Sequence, residues 1–276
     1  MRLYENYTSL QDRLKLLRLF SQFDNTETKA GFDFQYITQG ENLTRLREEF
    51  DYPTQLVPGK EFRSLVGLMT WVFDHLIGDG MCIPPQILNA KAILKGTKDQ
   101  GMKSNCFMHA VVSNEIYLSM GFPSRMVRCM PIDLEYSDCH CVTEVYSQEY
   151  GKWVVLDAAN RAYYLGEKMV PLNLFEIRET LMVQKPLYVP MMPRRQSKAL
   201  IQYLLKNLVR FETDQISQYD AENWTGERII LHFQSKNFPI SDKVAEFPEQ
   251  NRSIRHLHTS NPNLFWAKPV ERNMNS

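Results

Sequence analysis

Between Ser104 and Asp157 the chain places one helical segment and three strand-like segments almost end to end, and this compact order constrains its fold more than any other feature. Ser104 is suited to cap a helix N-terminus. An amphipathic helix is expected from about Asn105 to Met120, with Gly121 in the left-handed conformation that ends helices. Phe122-Pro123 turns the chain, and Arg125 to Met130, His140 to Tyr146 and Lys152 to Asp157 read as strands. Gln148-Glu149-Tyr150-Gly151 is a tight hairpin signal between the last two. Cys106 therefore falls in the first turn of the helix, His140 opens one strand, and Asp157 closes its neighbour. Counted back from the hairpin turn, His140 and Asp157 lie near the same end of a two-strand ladder, where their side chains meet if the register puts them on one face.

Those three residue types suit one chemistry. A thiolate, not a thiol, is the reactive form of cysteine, and the first turn of a helix favours the anion through the backbone dipole. An imidazole in reach can hold the thiolate as an ion pair or take its proton, and a carboxylate behind it fixes its tautomer. Singly, each residue has an ordinary reading. A helix-start cysteine is commonly a small buried hydrophobe, a strand histidine a structural residue, and a strand-ending aspartate a cap. Their order and surroundings carry the functional weight.

The surroundings comprise four motifs in sequence: Cys106-Phe107-Met108-His109-Ala110, Gly121-Phe122-Pro123-Ser124-Arg125-Met126-Val127, His140-Cys141-Val142-Thr143-Glu144-Val145-Tyr146, and Gly151-Lys152-Trp153-Val154-Val155-Leu156-Asp157. Together they resemble the transglutaminase-like superfamily over roughly Glu61 to Thr180. The resemblance implies an α+β fold with a papain-like core, in which the nucleophile helix packs on an antiparallel sheet. It implies Cys106 as nucleophile, His140 as base and Asp157 as orienting acid. Val142 stands where the family often has an aromatic residue, and the flanking Cys139 and Cys141 are unusual. An oxyanion hole is needed as well. The Cys106 backbone N–H is one candidate. Gln100, followed by glycine and similar to the oxyanion glutamine of papain-like proteases, is a second, and it reads equally as a solvated loop residue.

The rest of the chain divides as residues 1–60, an N-terminal elaboration; 61–185, the transglutaminase-like core; and 186–276, a C-terminal helical and β extension packed on the core. Helix-like spacing appears at Leu14 to Phe23, Glu61 to Ile77, Leu172 to Val183 and Lys198 to Phe211, and Pro84-Pro85 can start a shorter helix to about Leu94. Phe32 to Ile37 and Arg228 to Phe233 read as strands, while Pro53 to Gly59 and Lys95 to Lys103 read as loops. Residues before Glu61 and after Thr180 match no nameable pattern.

Composition narrows the classes. The 276 residues carry a formal net charge of zero, 43% hydrophobic and 23% charged residues, which argues against a broad nucleic-acid footprint. Met1 to Asn6 does not read as a secretion signal, and the longest apolar-rich stretch, Leu65 to Phe73, is too short to span a bilayer. Five cysteines, at 82, 106, 129, 139 and 141, do not make a disulfide framework. A soluble, cytoplasmic protein without membrane or nucleic-acid partners is expected. Cys139-His140-Cys141 invites a metal reading, but strand alternation points 139 and 141 away from 140, and the chain has no Cys-x-x-Cys pair to complete a zinc site. No metal and no cofactor is expected, which also weakens assignment to the zinc-containing peptide N-glycanase branch. His109, one turn from Cys106, is a competing base that the family order disfavours. Trp71, Trp153, Tyr163 and Tyr164 either line a cleft or fill the core, and the basic stretch from Arg194 to Arg210 is a solvated face or a docking surface.

The expected activity is attack on a carboxamide or peptide carbonyl through an acyl-enzyme on Cys106, with hydrolysis slightly favoured over transamidation. The substrate is then a peptide, a protein or a small amide. One alternative is an acyltransferase that makes amides from carrier- or coenzyme-bound thioesters, and another is a non-catalytic binding module that keeps the fold.

Overall fold

The chain order of elements in the computed structural model is α1 (Leu10–Leu19), β1 (Gln35–Tyr36), α2 (Glu41–Glu49), α3 (Glu61–His75), β2 (Ile77–Gly78), α4 (Ala90–Gln100), β3 (Lys103–Ser104), α5 (Cys106–Ser119), β4 (Ser124–Met130), β5 (His140–Ser147), β6 (Lys152–Asp157), β7 (Ala162–Tyr163), α6 (Leu174–Met182), α7 (Arg194–Lys206), β8 (Arg210–Asp214), β9 (Ile216–Ser217), β10 (Glu227–His232), β11 (Arg255–Thr259) and α8 (Pro262–Phe265). The structure describes residues 9–26, 31–132, 139–221, 226–234 and 254–270. The Met1 to Asn6 segment lies outside them.

The helix, turn and three strands expected between Ser104 and Asp157 form close to the anticipated bounds. Gly121 takes φ +84, the left-handed conformation that ends α5. Asn105, rather than Ser104, caps the helix: its side chain accepts the Met108 N–H, while Ser104 is committed to β3 pairing. The α5 helix is not amphipathic. Every residue from Met108 to Ser119 is buried, because the sheet lies under it and α2, α3 and α4 pack over it. A helix buried on all sides is a central helix, and here its polar residues, Glu115 among them, are buried too.

Elsewhere several bounds shift. α4 does not start at the prolines. It starts after Asn89, whose side chain accepts the Ala92 N–H, while Glu115 Oε2 accepts the Ala90 N–H. It then runs through the expected Lys95–Lys103 loop to Gly101, which ends it at φ +65. Residues Tyr52–Gln55 form a 3-10 turn that overlaps the start of the expected Pro53–Gly59 loop. The helix expected to reach Phe211 stops at Lys206, since Phe211 belongs to β8 opposite Cys129 of β4.

The main sheet has seven strands in the order β11-β10-β8-β4-β5-β6-β7, antiparallel except for the β10–β11 pair. The C-terminal strands join the same sheet as the strands around Cys106 through the β4–β8 pairing. One face packs Met126, Cys141, Val145, Val154 and Leu156 against α3, α4 and α5. The other packs Val127, Val142, Val155, Phe211 and Ile229 against α1, α6 and α7. The architecture is α+β, with helices on both sheet faces.

Arg125 and Glu144, one from each of two sequence motifs, sit opposite each other in the β4–β5 register. Their side chains are 1% and 0% exposed and pair at 2.9 Å. Glu144 also accepts from the Leu174 N–H and the Trp266 indole, and the guanidinium lies over the Phe34, Trp153, Phe265 and Trp266 rings. Removing one partner of such a pair leaves a buried charge unmatched. Glu144→Ala is therefore expected to cost about 3–5 kcal/mol in urea unfolding. A loss below about 1 kcal/mol would show that this pair does not hold the sheet together.

Candidate functional site

The β5–β6 register sets the first contact. Thr143 pairs with Leu156, so Asp157 falls opposite Val142, and His140, two residues before Val142, shares its face. The two side chains are a diagonal cross-strand pair, within reach of each other. His140 Nε2 lies 2.7 Å from Asp157 Oδ2, with both residues 1% exposed. Asn160 completes the carboxylate: its backbone N–H donates to Oδ1 at 3.2 Å and its side-chain amide to Oδ2 at 2.9 Å, with the Tyr164 hydroxyl at 3.5 Å.

His140 Nδ1 is buried without a hydrogen-bond partner in this geometry, and the His140 side chain, which lines the same cleft, acts on the Cys106 thiol beside it. Cys106 is the first residue of α5, half-buried at the mouth of a cleft, with its sulfur 3.9 Å from the Cys139 carbonyl oxygen. The helix N-terminus places partial positive charge against the sulfur, and the backbone N–H at this position has no intrahelical acceptor. Tyr203 of α7 donates its hydroxyl to the same Cys139 carbonyl at 3.1 Å, and its ring meets the His140 imidazole edge-on at 5.3 Å.

The electrostatics are strongly perturbed. Hydrogen bonding from the Cys141 thiol, aided by the hydrogen bond and charge of His140, outweighs burial and lowers Cys106 to about 4. Burial opposes charge on His140, yet Asp157 and then Cys106 outweigh it and raise the imidazole to about 10. Burial likewise opposes the Asp157 carboxylate, but the His140 charge and the Asn160 hydrogen bonds hold it below its ordinary value. The favoured state is thiolate, imidazolium and carboxylate together.

The cleft, about 980 Å³, lies between the Gly78–Met81 segment, the start of α5, the start of β5, the Ala159–Asn160 turn and Tyr203. Cys106 and His140 line it. Gln100 does not, because it ends α4 as an exposed helical residue rather than belonging to a loop that enters the site. The structure thus corrects its reading as an oxyanion donor. His109 also borders the cleft, but Nδ1 donates to the Asn105 carbonyl at 2.9 Å, and burial lowers its pKa and keeps it neutral. Asp157 is bonded to His140 instead.

Trp71 and Trp153 are core residues: their indoles donate to Asp51 and to the Ala267 carbonyl. Tyr163 packs against Phe62, and none of the four aromatics lines the cleft. Among the described residues, no group of three or more His, Cys, Asp or Glu could hold a metal ion, and no helix is long and apolar enough to cross a membrane. Four participants escape sequence reading: Asn105, Cys141 in its hydrogen-bonding role, Asn160 and Tyr203. Asn160 had a local signal, a four-residue turn with aspartate at its start and asparagine at its end. Tyr203 had none, since it arrives from a distant helix.

Residues 57–158 match the model of the transglutaminase-like superfamily, which supports a thiol enzyme as the class of activity. No curated protein matches the chain. A solved structure, that of a "putative cysteine protease" from Cytophaga hutchinsonii, is similar at 16% identity, covering 51% of this chain and 47% of that one, with a TM-score of 0.33. The chain thus spans about half the length of that relative. The four motifs around Cys106, His140 and Asp157 all fall within the matched segment, and the chain carries a transglutaminase-like domain at residues 57–158.

Proposed function

We propose that Cys106, His140 and Asp157 form the catalytic set of a thiol hydrolase acting on carboxamide or peptide bonds. The observation that carries this reading is the position of His140: one ring nitrogen is bound to a buried carboxylate, and the side chain acts on a thiol whose pKa is driven far below its ordinary value.

The Cys106 thiolate attacks the carbonyl carbon, a C–S bond forms, and the C=O electron pair moves to oxygen. The Cys106 backbone N–H at the helix start is an oxyanion donor. As the oxyanion collapses, the C–N bond breaks and His140 gives its proton to the departing nitrogen, so an amine or ammonia leaves. Water then attacks the thioester with neutral His140 as base, releasing the acid and restoring the thiolate–imidazolium pair. Asp157 keeps the imidazole in the required orientation and supports its charge. The open cleft admits water readily, which favours hydrolysis over transfer to an amine.

A second reading, acyl transfer from a carrier-bound thioester, draws on one observation. The helix that carries Tyr203 to the cleft also exposes Arg194, Arg195 and Lys198, a basic surface suited to an acidic carrier. Trapping the acyl-enzyme from matched amide and thioester donors separates the two.

The pH dependence tests the ion pair. An ordinary thiol, with a pKa of about 8.5, loses alkylation rate about tenfold per pH unit below that value. Cys106 is expected to keep its iodoacetamide rate from about pH 8 down to about pH 5 and to lose it as pH falls through about 4, where the thiolate is protonated. Cys141→Ala removes the largest hydrogen-bonding contribution to the thiolate and is expected to move that fall to higher pH. If Cys106 labels no faster at pH 5 than the other cysteines, it is not the nucleophile.

Turnover tests the acid behind the base. On any amide that acylates Cys106, Asp157→Asn is expected to lower kcat by about a thousandfold, with its circular dichroism unchanged. A loss below about tenfold would remove Asp157 from the catalytic set.

A further inference from the structure

We infer that the loop between β2 and α4 is a specificity wall of this cleft and selects substrates with an apolar alkyl chain or side chain near the scissile carbonyl. The inference rests on the catalytic reading of Cys106 and adds the substrate class.

The loop combines a fixed stem with an apolar tip. At its base, Ile77 and Gly78 pair in parallel with Lys103 and Ser104, and the Asp79 N–H donates to the Ser104 carbonyl at 2.9 Å. Asp79 Oδ1 accepts the Met81 N–H at 3.0 Å, and the Cys82 N–H donates to the Asp79 carbonyl at 3.2 Å. Asn105, the residue immediately before Cys106, donates its side-chain amide to the Cys82 carbonyl at 3.2 Å. The residue that caps the nucleophile helix, Asn105, and the β3 residue before it, Ser104, therefore also hold this loop, so its position is set relative to the sulfur.

The tip is exposed and apolar. Met81 is 91% exposed and Ile83 90% exposed, and Met81 lines the same cleft as Cys106 and Phe107. Single exposed apolar side chains are ordinary, but here two stand almost bare on one anchored loop beside a reactive thiol. Charge selection points the same way. Asp79, which also lines the cleft, is neutralised by Lys103 at 3.1 Å, so the wall beside the sulfur offers no unmatched charge. Methionine's flexible thioether adapts to varied alkyl shapes. Met81 joins this surface to the cleft and Ile83 stands two residues further along the same loop, so the occupant in reach is an apolar chain of the substrate held at Cys106.

The test uses N-alkylmaleimides as probes and therefore needs no substrate. In a Cys82→Ser background, Cys106 labelling is followed by peptide mapping with N-ethyl-, N-hexyl- and N-(hydroxyethyl)maleimide, each rate divided by its rate with N-acetylcysteine. The hexyl-to-ethyl ratio is expected to be about tenfold, as burial of two or fewer of the added methylenes would give, and the hydroxyethyl reagent should show no gain. Met81→Ser/Ile83→Ser is expected to bring the ratio close to one. Val183→Ser, at an exposed apolar residue outside the cleft lining, should keep the wild-type ratio. A ratio near one in the starting protein, or one unchanged in the double variant, overturns the inference even if Cys106 alkylates rapidly with iodoacetamide. Slow alkylation by both reagent types overturns the catalytic reading beneath it. Sedimentation supplies a further outcome: self-association abolished by Met81→Ser/Ile83→Ser would make the loop an interface between copies and sink the specificity wall.

Discussion

The structure around Cys106 depends on one buried carboxylate. Glu144 collects hydrogen bonds from Arg125 on β4, from the backbone at the start of α6, and from Trp266 near the end of the described chain. A carboxylate taken out of water is costly, and only charge pairing with several donors in good geometry offsets that cost. Those donors come from segments far apart in sequence, so satisfying Glu144 requires that the sheet, α6 and the C-terminal segment be assembled together. Glu144 and His140 also lie on the same face of β5, four residues apart. Whatever locks the face of Glu144 locks the face of His140, and a one-residue slip would turn both away from their partners.

The second constraint is the charge within the site. Thiolate, imidazolium and carboxylate together leave one net negative charge in a largely buried cluster. Neighbouring groups compensate it locally. Asn160 supplies two donors to Asp157, the α5 N-terminus faces the sulfur, and the Cys141 thiol hydrogen-bonds to it. None of these partners reacts in the proposed sequence, yet together they decide whether the ion pair exists before substrate arrives. The unusual cysteine beside the histidine thereby gains a physical role: it is a weak, polarisable donor that reaches the sulfur from the buried side.

How much of this could be read beforehand depends on the range of each interaction. Gly121 and the Gln148–Gly151 hairpin are local signals, and with the strands they join they set the Cys106–His140–Asp157 arrangement almost completely. Signals with two valid local answers were less decisive. Ser104 and Asn105 can both cap a helix, and the choice fell to Asn105 because Ser104 is used by a strand 26 residues from its partner's end of the chain at Gly78. Gln100 looked like a loop residue because Gly96 lies near it, but α4 runs past Gly96 to Gly101. Phe211 continued a helical pattern, yet its partner Cys129 is a strand residue of β4. The all-round burial of α5 was hidden because its outer cover, α2 to α4, had only partly legible bounds. Non-local pairing decided the Ser104 and Phe211 cases, and tertiary packing decided the burial of α5.

Tyr203 shows what the sheet extension contributes to the site. Beyond α6 the chain forms α7 and then enters the sheet beside β4 as β8, so α7 packs on the sheet face that carries Val142 and, by alternation, His140. Tyr203 lies on that helix with its ring edge against the imidazole and its hydroxyl on the Cys139 carbonyl, the oxygen that Cys106 also approaches. An aromatic edge excludes water from one side of the imidazolium, and lower local polarity strengthens its attraction to both the thiolate and Asp157. The hydroxyl meanwhile ties down the backbone from which His140 projects. The segment outside the matched domain is thus part of the electrostatic enclosure of the site, and the domain alone would leave His140 open on that side.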